Sequence, residues 1–464
     1  MAAVVNDVVS VPLLLAVLPQ RDQTACLYDL DQLVQQDLLQ SISDGWQFRH
    51  DLLRDAVYAG IPLFVRRHLH AQVAAVLEQQ GAEPSLLAWH YAAASLEDQA
   101  SRYTLQSARR ALSLGGYCHA TEFLAALERT GHSHLGERER LEVKALDFFV
   151  HRATQGYTGS TLKALQRLGN ECCHQKHRGL FYLSYRYRQW WFVGARQGIG
   201  AALEIAGCME RESYEDVDPR LAANLTDFVN GWSLFWLGDL ERAHRYLSAC
   251  VQDWREEWDV TVGSAALGEN YHLASIAYLG LTEIVLGRPE QGLKRSDDAL
   301  ITLASDRPYS QMFLLGMRLL GGYWLGDLEE VEGSARRMLG ICAMQAMPMW
   351  RLFAEAFLVW VLVRKGRRSV PWAMQRLRLL GRQMESVSGL AAVLMFRLLL
   401  DLKAGHSTSR KAASARHRYY HLLRRWQCFV LEVALPLNRP TATRSSPSKI
   451  KPAKTPRAFA KACR

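Results

Sequence analysis

Apolar positions along the chain follow two successive patterns. VPLLLAVL (11–18) is a short apolar run that predicts a helix. TACLYDLDQLVQQDLLQ (24–40) places Leu27, Leu30, Val34 and Leu38 on one helical stripe. SISDGWQFRH (41–50) then alternates around Asp44-Gly45, a two-residue hairpin signal because both turn positions want φ > 0. Helix, helix, hairpin is the outline of a winged helix. From residue 51 to about residue 402 helical stripes run alone, with no further alternating segment.

Glycines punctuate this helical region at 116, 156, 194, 238, 287, 326, 366 and 405, with spacings of 40, 38, 44, 49, 39, 40 and 39. A glycine suits a tight turn between two antiparallel helices, where φ > 0 costs it little. The hexapeptide WLGDLE occurs at 236–241 and again at 324–329, an interval of 88. Related junctions are LGRPEQGL (286–293) and LGGYCHATEFL (114–124). A period near 40 in an all-helical chain predicts stacked helical hairpins, each burying its apolar face on its neighbours.

Composition narrows the class without naming a reaction. With 464 residues, 49% hydrophobic and 22% charged, the chain is globular. Nine cysteines with one adjacent pair form no disulfide framework, so a reducing compartment is expected. The formal net charge of +10 is uneven: residues 403–464 hold 15 Lys or Arg and one acid, Glu432, leaving 41 basic and 45 acidic residues before them. From Asn438 the chain is rich in Pro, Ser, Thr and Lys and cannot bury enough surface to fold alone. Contact with nucleic acid is therefore expected only nonspecifically, through this tail. The apolar N-terminus carries Asn6 and Asp7 where a signal peptide needs Lys or Arg, and Pro12 interrupts it. LFAEAFLVWVLV (352–363) and SGLAAVLMFRLLL (388–400) contain Glu355 and Arg397 and fall short of the ~18–20 residues of a spanning helix. No membrane span and a cytoplasmic location are expected.

The string F-R-H-x-L-L-R-x-A-V-Y from Phe48 to Tyr58, with AAVVNDVVSVPLLLAVL before it and LLAWHYAAASLEDQASRYTLQSARRALSLGGYCHATEFLAALER after it, resembles the region behind the nucleotide-binding module of bacterial STAND or AAA-type signal-transduction ATPases. These include regulators of the LuxR and maltose-activator type and ATPases fused to adenylate cyclase or protein kinase domains. WLGDLERA, LGRPEQGLKRSDDAL, the Arg307-Pro308-Tyr309-Ser310 turn and Met347-Pro348-Met349-Trp350 resemble the tetratricopeptide-like repeats of the same proteins. The resemblance covers roughly residues 2–402. It implies an all-α fold, a winged helix followed by an α-solenoid of tetratricopeptide-like hairpins, with the winged helix packing on the ATPase. The expected divisions are 1–50 winged helix, 51–115 linker helices, 116–437 repeat solenoid and 438–464 basic disordered tail. The chain departs from the family in having no G-x-x-x-x-G-K-[ST] and no Gly-Lys pair. A P-loop needs that backbone nest and that Lys for phosphates. No cyclase, kinase or C-terminal helix-turn-helix pattern follows. The chain thus reads as the regulatory half of such a protein: a fragment, a split gene product or a degenerate relative.

Candidate chemistry is sparse. Cys173 and His177 share a helix face beside Glu171, Cys172 and His174, but a metal site needs three or four ligands and no partner set is evident. His68 and His70 follow Arg66-Arg67 and read either as a pH- or phosphate-sensitive patch or, more blandly, as a solvated helix face. FYLSYRYRQWWF (181–192) sets Tyr185, Trp190 and Trp191 beside Arg186 and Arg188. These five are the candidate partner-binding residues of a stacking groove, the alternative being core packing. The helix over 24–40 carries Asp29, Asp31 and Asp37 and no Lys or Arg, which opposes contact with DNA phosphates. The expected function is a non-catalytic regulatory and scaffolding module without metal or cofactor. It would bind a protein partner, an ATPase module in trans among them, or a small effector through the repeat surface. The alternative is a DNA-binding transcriptional regulator using the winged helix and tail.

Overall fold

The computed structural model describes residues 2–5, 8–17, 23–43, 45–130, 134–174, 179–259, 270–303 and 308–403. Among these residues the chain is all-α apart from one hairpin. Helices α1 (Ala2–Val5), α2 (Val11–Val17) and α3 (Gln23–Gln35) precede strands β1 (Leu39–Ile42) and β2 (Gly45–Phe48), which pair antiparallel with Leu39 opposite Phe48. Helix α3 is shorter than the apolar stripe over 24–40. It stops at Gln35, Asp37 turns the chain at φ 56°, and Leu39 is buried as a strand residue instead. Asp44 lies outside the described residues. Gly45 is required by proximity, since a Cβ there would lie 2.2 Å from the Val9 carbonyl oxygen. Val9 and Trp46 exchange backbone hydrogen bonds of 2.7 and 3.1 Å across that contact.

Next come α4 (Asp51–Gly60), α5 (Leu63–Gln79), α6 (Pro84–Ala93), α7 (Glu97–Ser113) and α8 (Tyr117–Arg129). One hydrophobic core runs from Val4 and Leu30 through Val73, Leu87 and Tyr91 to Ala100, so α5, α6 and the start of α7 share the core of the hairpin unit without a break at residue 50.

The remaining helices alternate between two layers. The inner layer is α9 (Glu137–Gln155), α11 (Leu180–Arg196), α13 (Pro219–Leu237), α15 (Tyr271–Val285), α17 (Pro308–Leu325), α19 (Pro348–Arg364) and α21 (Gly389–Lys403). The outer layer is α10 (Gly159–His174), α12 (Ile199–Arg211), α14 (Leu240–Gln252), α16 (Pro289–Thr302), α18 (Leu328–Met344) and α20 (Val370–Val387). Each helix packs on the next, and each inner helix also touches the next inner helix.

The repeated hexapeptide encodes one such inner-to-outer junction. Trp236 and Trp324 are buried at inner-helix ends. Gly238 (φ 95°) and Gly326 (φ 76°) turn the chain in the left-handed region. The Asp239 N–H reaches Leu234 O at 3.0 Å and the Asp327 N–H reaches Gly322 O at 2.9 Å, closing the helix ends. The same aspartates then cap the following helices, Asp239 accepting from Arg242 N and Asp327 from Glu329 N and Glu330 N. Two of the periodic glycines do not sit at the turn itself. Gly194 lies inside α11 against Trp232, the turn falling at Gly198, and Gly116 follows the turning residue Gly115. Gly405 lies outside the described residues, as does the basic tail.

The stack curves until its ends meet. Helix α9 packs on α19, and α11 on α21. Three hydrogen bonds stitch the seam: Tyr157 N to Val387 O at 2.6 Å, Arg196 Nη1 to Glu385 O at 2.8 Å, and Gln345 Nε2 to Leu114 O at 3.4 Å. Gly156 (φ 73°) permits the first, since a Cβ there would lie 2.2 Å from Val387 Cγ1. The solenoid is therefore a closed ring. Among the described residues no helix is long and apolar enough to cross a membrane.

Candidate functional site

Ring closure leaves a central lumen of about 90 Å³ that is partly open to solvent, small beside the roughly 300–1,000 Å³ of drug-sized pockets. Every inner helix contributes to its wall. Arg152 and Tyr157 come from the end of α9, Trp191 from α11, Trp232 and Trp236 from α13, and Tyr278 from α15. Helix α17 adds Tyr309 and Phe313, α19 adds Trp350 and Phe353, and the start of α21 adds Ser388 and Ala391. The inner helices from α11 to α19 each bring aromatic residues to the wall, whereas α21 brings Ala391 and Leu394.

The rings interlock edge to face. Trp191 and Trp232 centroids are 5.1 Å apart, Trp232 and Tyr278 6.3 Å, and Tyr309 and Trp350 6.3 Å. Each such pair adds about 0.5–1.5 kcal/mol beyond its burial. Burial holds the Tyr278 hydroxyl well above the usual phenol range, although the N–H groups of Trp232 and Trp236 facing it pull the other way. Arg152 is 3% exposed, with its guanidinium 5.4 Å from the Phe149 ring and 5.0 Å from the Tyr309 ring. Trp191 and Trp350 are 8% and 6% exposed, and their indole N–H groups meet no acceptor among the described residues. The wall offers stacking and dispersion contacts.

Of the five residues singled out in the aromatic segment, Trp191 alone lines the lumen. Trp190 is fully buried beside it and donates Nε1 to Ser233 Oγ at 3.0 Å. Arg188 is buried over the Phe148 ring at 5.6 Å and donates to Ser184. Tyr185 packs over Gly169, and Arg186 pairs with Glu212 at 3.0 Å and Gln189 at 2.6 Å. The segment is thus mostly wall. The other lumen residues are spread over the inner helices, one to four from each, so no single segment announces them. The available signal was the aromatic run of each inner helix, as in Trp232-Ser-Leu-Phe-Trp236 and Met349-Trp350.

The remaining candidates resolve as follows. Cys172 is buried and its thiol is pushed up to about 12 by that burial, while Cys173 is exposed. No group of three metal-ligating side chains occurs among the described residues, and His177 lies outside them. His70 is not on a solvated face. It is fully buried, with Tyr58 Oη 2.9 Å from its Nε2 and His90 Nδ1 3.0 Å from its Nδ1. Burial lowers both imidazoles, that of His90 to about 4, and the charges of neighbouring groups add to the effect. Helix α4 buries none of its residues, and Leu52 and Phe64 on α4 and α5 are 84% and 80% exposed.

No family model matches the chain, and no curated protein matches it in sequence. A signal transduction ATPase with numerous domains carrying a tetratricopeptide repeat sensor, from Pyrococcus horikoshii, is similar in structure at 14% identity and a TM-score of 0.38. The match covers 87% of this chain and 63% of that one, so this chain spans less than two thirds of that protein's length.

Proposed function

We propose that the chain is a non-catalytic regulatory module. The ring lumen takes up a small effector, and the N-terminal unit passes the state of the ring to a protein partner. The observation that carries this reading is that the lumen wall straddles the seam. Tyr157, whose N–H makes the shortest seam bond, and Ser388, which follows the acceptor Val387, both line the cavity. A ligand touching both sides stabilises the closed ring over any opened form by mass action, which couples occupancy to ring geometry. The uncovered apolar side chains of α4 and α5 suit a protein contact, and the resemblance of Phe48–Tyr58 to signal-transduction ATPases makes an ATPase module acting in trans the partner of choice.

Thermal-shift screening of a metabolite collection against the full chain and Ala391→Phe tests the effector half, because phenylalanine at that lining position fills the lumen from α21. Compounds that raise the melting temperature of the parent are expected to lose their effect on the filled variant. Stabilisers acting equally on both would place the site elsewhere and end this reading.

A further inference from the structure

We infer that the outward side of helix α20, with the turn that leads into it, docks a single strand of nucleic acid by its phosphates. The surface belongs to the outer layer of the ring and does not depend on the lumen reading. It carries onto the folded ring a contact that composition alone confined to the tail.

Charge is the first observation. From Ala356 to Met384 the chain holds seven Lys or Arg and no Asp or Glu. Acids on neighbouring elements do not cancel them. Glu332 is shared by Lys365 at 2.6 Å, Arg336 at 2.8 Å and Arg367 at 3.1 Å, with Glu329 adding one more carboxylate to Lys365. Glu355 is shared by Arg351 at 3.1 Å and Arg376 at 3.0 Å. Arg368, Arg378 and Arg382 are exposed and have no carboxylate partner among the described residues. Arg378 and Arg382 are four positions apart on one helix, so they stand side by side. A guanidinium fork matches phosphate oxygens two at a time, which a row of arginines repeats along a backbone.

A stacking platform is the second. The Arg368 guanidinium lies 5.3 Å from the centroid of the Trp372 ring, and Trp372 is 36% exposed. Unstacked bases lie on indole rings and on guanidinium planes, whereas a duplex keeps its base faces covered. The third observation is continuity. Trp360 donates Nε1 to Asp401 Oδ2 at 3.2 Å, which sets the end of α21 beside the end of α19 and the turn over 364–369. The sequence therefore passes Lys403 at the rim that bears Arg367 and Arg368, and residues 403–464 hold 15 Lys or Arg against one acid. An anionic membrane also presents phosphates, but a helix that lies in a membrane surface needs a free apolar face. In α20 that face, Ala373, Leu377, Leu380 and Met384, is buried in the ring.

The test is fluorescence anisotropy of a labelled oligothymidylate of about 20 nucleotides, titrated with the full chain at about 50 and 200 mM salt. Affinity is expected to fall with salt as counterions are released. Arg378→Gln with Arg382→Gln should weaken binding about tenfold or more at the lower salt. It should also flatten the slope of log affinity against log salt by about 1.4, two phosphate contacts on a single strand. Trp372→Ala should weaken binding about fivefold and leave the slope unchanged. Arg102→Gln with Arg129→Gln removes the same charge from exposed sites on α7 and α8 and should change affinity by less than about twofold. Unchanged affinity and slope in the α20 pair would assign all binding to the tail and overturn the inference. An equal loss in the α7 and α8 pair would overturn it too, by showing that net charge alone matters. So would tighter binding of a duplex of the same length, or a parent chain that binds phosphatidylserine vesicles and not the oligonucleotide. Arg378 and Arg382 are exposed, so the charge pair decides the matter even if the Trp372 variant folds poorly.

Discussion

In the N-terminal unit Leu52 and Phe64 are 84% and 80% exposed and α4 buries nothing, whereas in the ring Trp190, Trp232 and Trp360 are 0%, 0% and 1% exposed. Both regions are helical and both are rich in apolar residues. They differ in where the unspent apolar surface faces. The N-terminal unit turns it outward, where only another molecule can cover it. The ring turns its aromatic residues inward around a cavity, while Ile301 and Met344 on its outer layer stand 81% and 89% exposed. Regular secondary structure is therefore a poor guide to role in this chain, and the direction of uncovered apolar surface is a better one.

The largest effect that would test this contrast is a truncation in the ring wall. Trp190→Ala removes a fully buried indole and leaves the Ser233 hydroxyl without its donor. A loss of about 3–5 kcal/mol is expected, read from chemical denaturation monitored by circular dichroism. A loss below about 1 kcal/mol would mean that the ring core is loosely packed. A smaller effect is expected at the seam. Gly156→Val forces a β-branched residue to φ 73° and drives a Cβ into Val387. Strain and clash together cost about 2–4 kcal/mol. The expected signature is spatial: hydrogen exchange should accelerate at Tyr157 and in α21 while α13 to α17 keep their protection.

These two sites also show what sequence could and could not convey. The WLGDLE junction was legible because its physics is local: a buried Trp, a left-handed Gly and a capping Asp lie within four residues. The hairpin over 39–48 was legible for the same reason. Ring closure was not, because Tyr157 and Val387 meet across about half of the chain with nothing in either segment to announce the other. The same holds for His70, which read as a surface residue while its partners Tyr58 and His90 stand 12 and 20 positions away. In the aromatic segment, spacing placed Trp190 and Trp191 on one helix, but only curvature of the whole stack turned Trp191 toward a cavity.

Acidification should act on both regions with unequal force. His90 is held at about 4 against 6.5 when unfolded, and His70 is lowered beside it. A depressed imidazole contributes stability that is complete above pH 6.5 and lost as pH falls from there toward 4, because the unfolded chain takes up the proton first. The ring carries His272, lowered to about 4 by burial, but also His151, raised by the Asp147 carboxylate, which gains stability as pH falls. The N-terminal unit should therefore weaken first, by about 2–3 kcal/mol between pH 7 and pH 4. Opening followed by hydrogen exchange at Trp89, next to both histidines, should shift more with pH than melting followed by far-ultraviolet circular dichroism. His90→Leu should flatten the Trp89 profile. An unchanged slope in that variant would show that another group controls the acid response.

The smallest expected effect on stability is at the outward face, and its smallness is the point. Phe64 is 80% exposed on α5, so replacing it with Ser removes almost no buried contact. The change in unfolding free energy should stay within about 0.5 kcal/mol, as for other surface substitutions. Colloidal behaviour should change far more. An exposed benzyl group next in sequence to the half-exposed Leu63 promotes association when salt strengthens apolar contacts. Phe64→Ser should therefore precipitate at a higher ammonium sulfate concentration than the parent, while Trp190→Ala should precipitate at a lower one because its ring is partly opened. A Phe64→Ser variant that melts several degrees early would show that the side chain is packed against the protein itself, and the contrast between an outward-facing N-terminal unit and an inward-facing ring would then collapse.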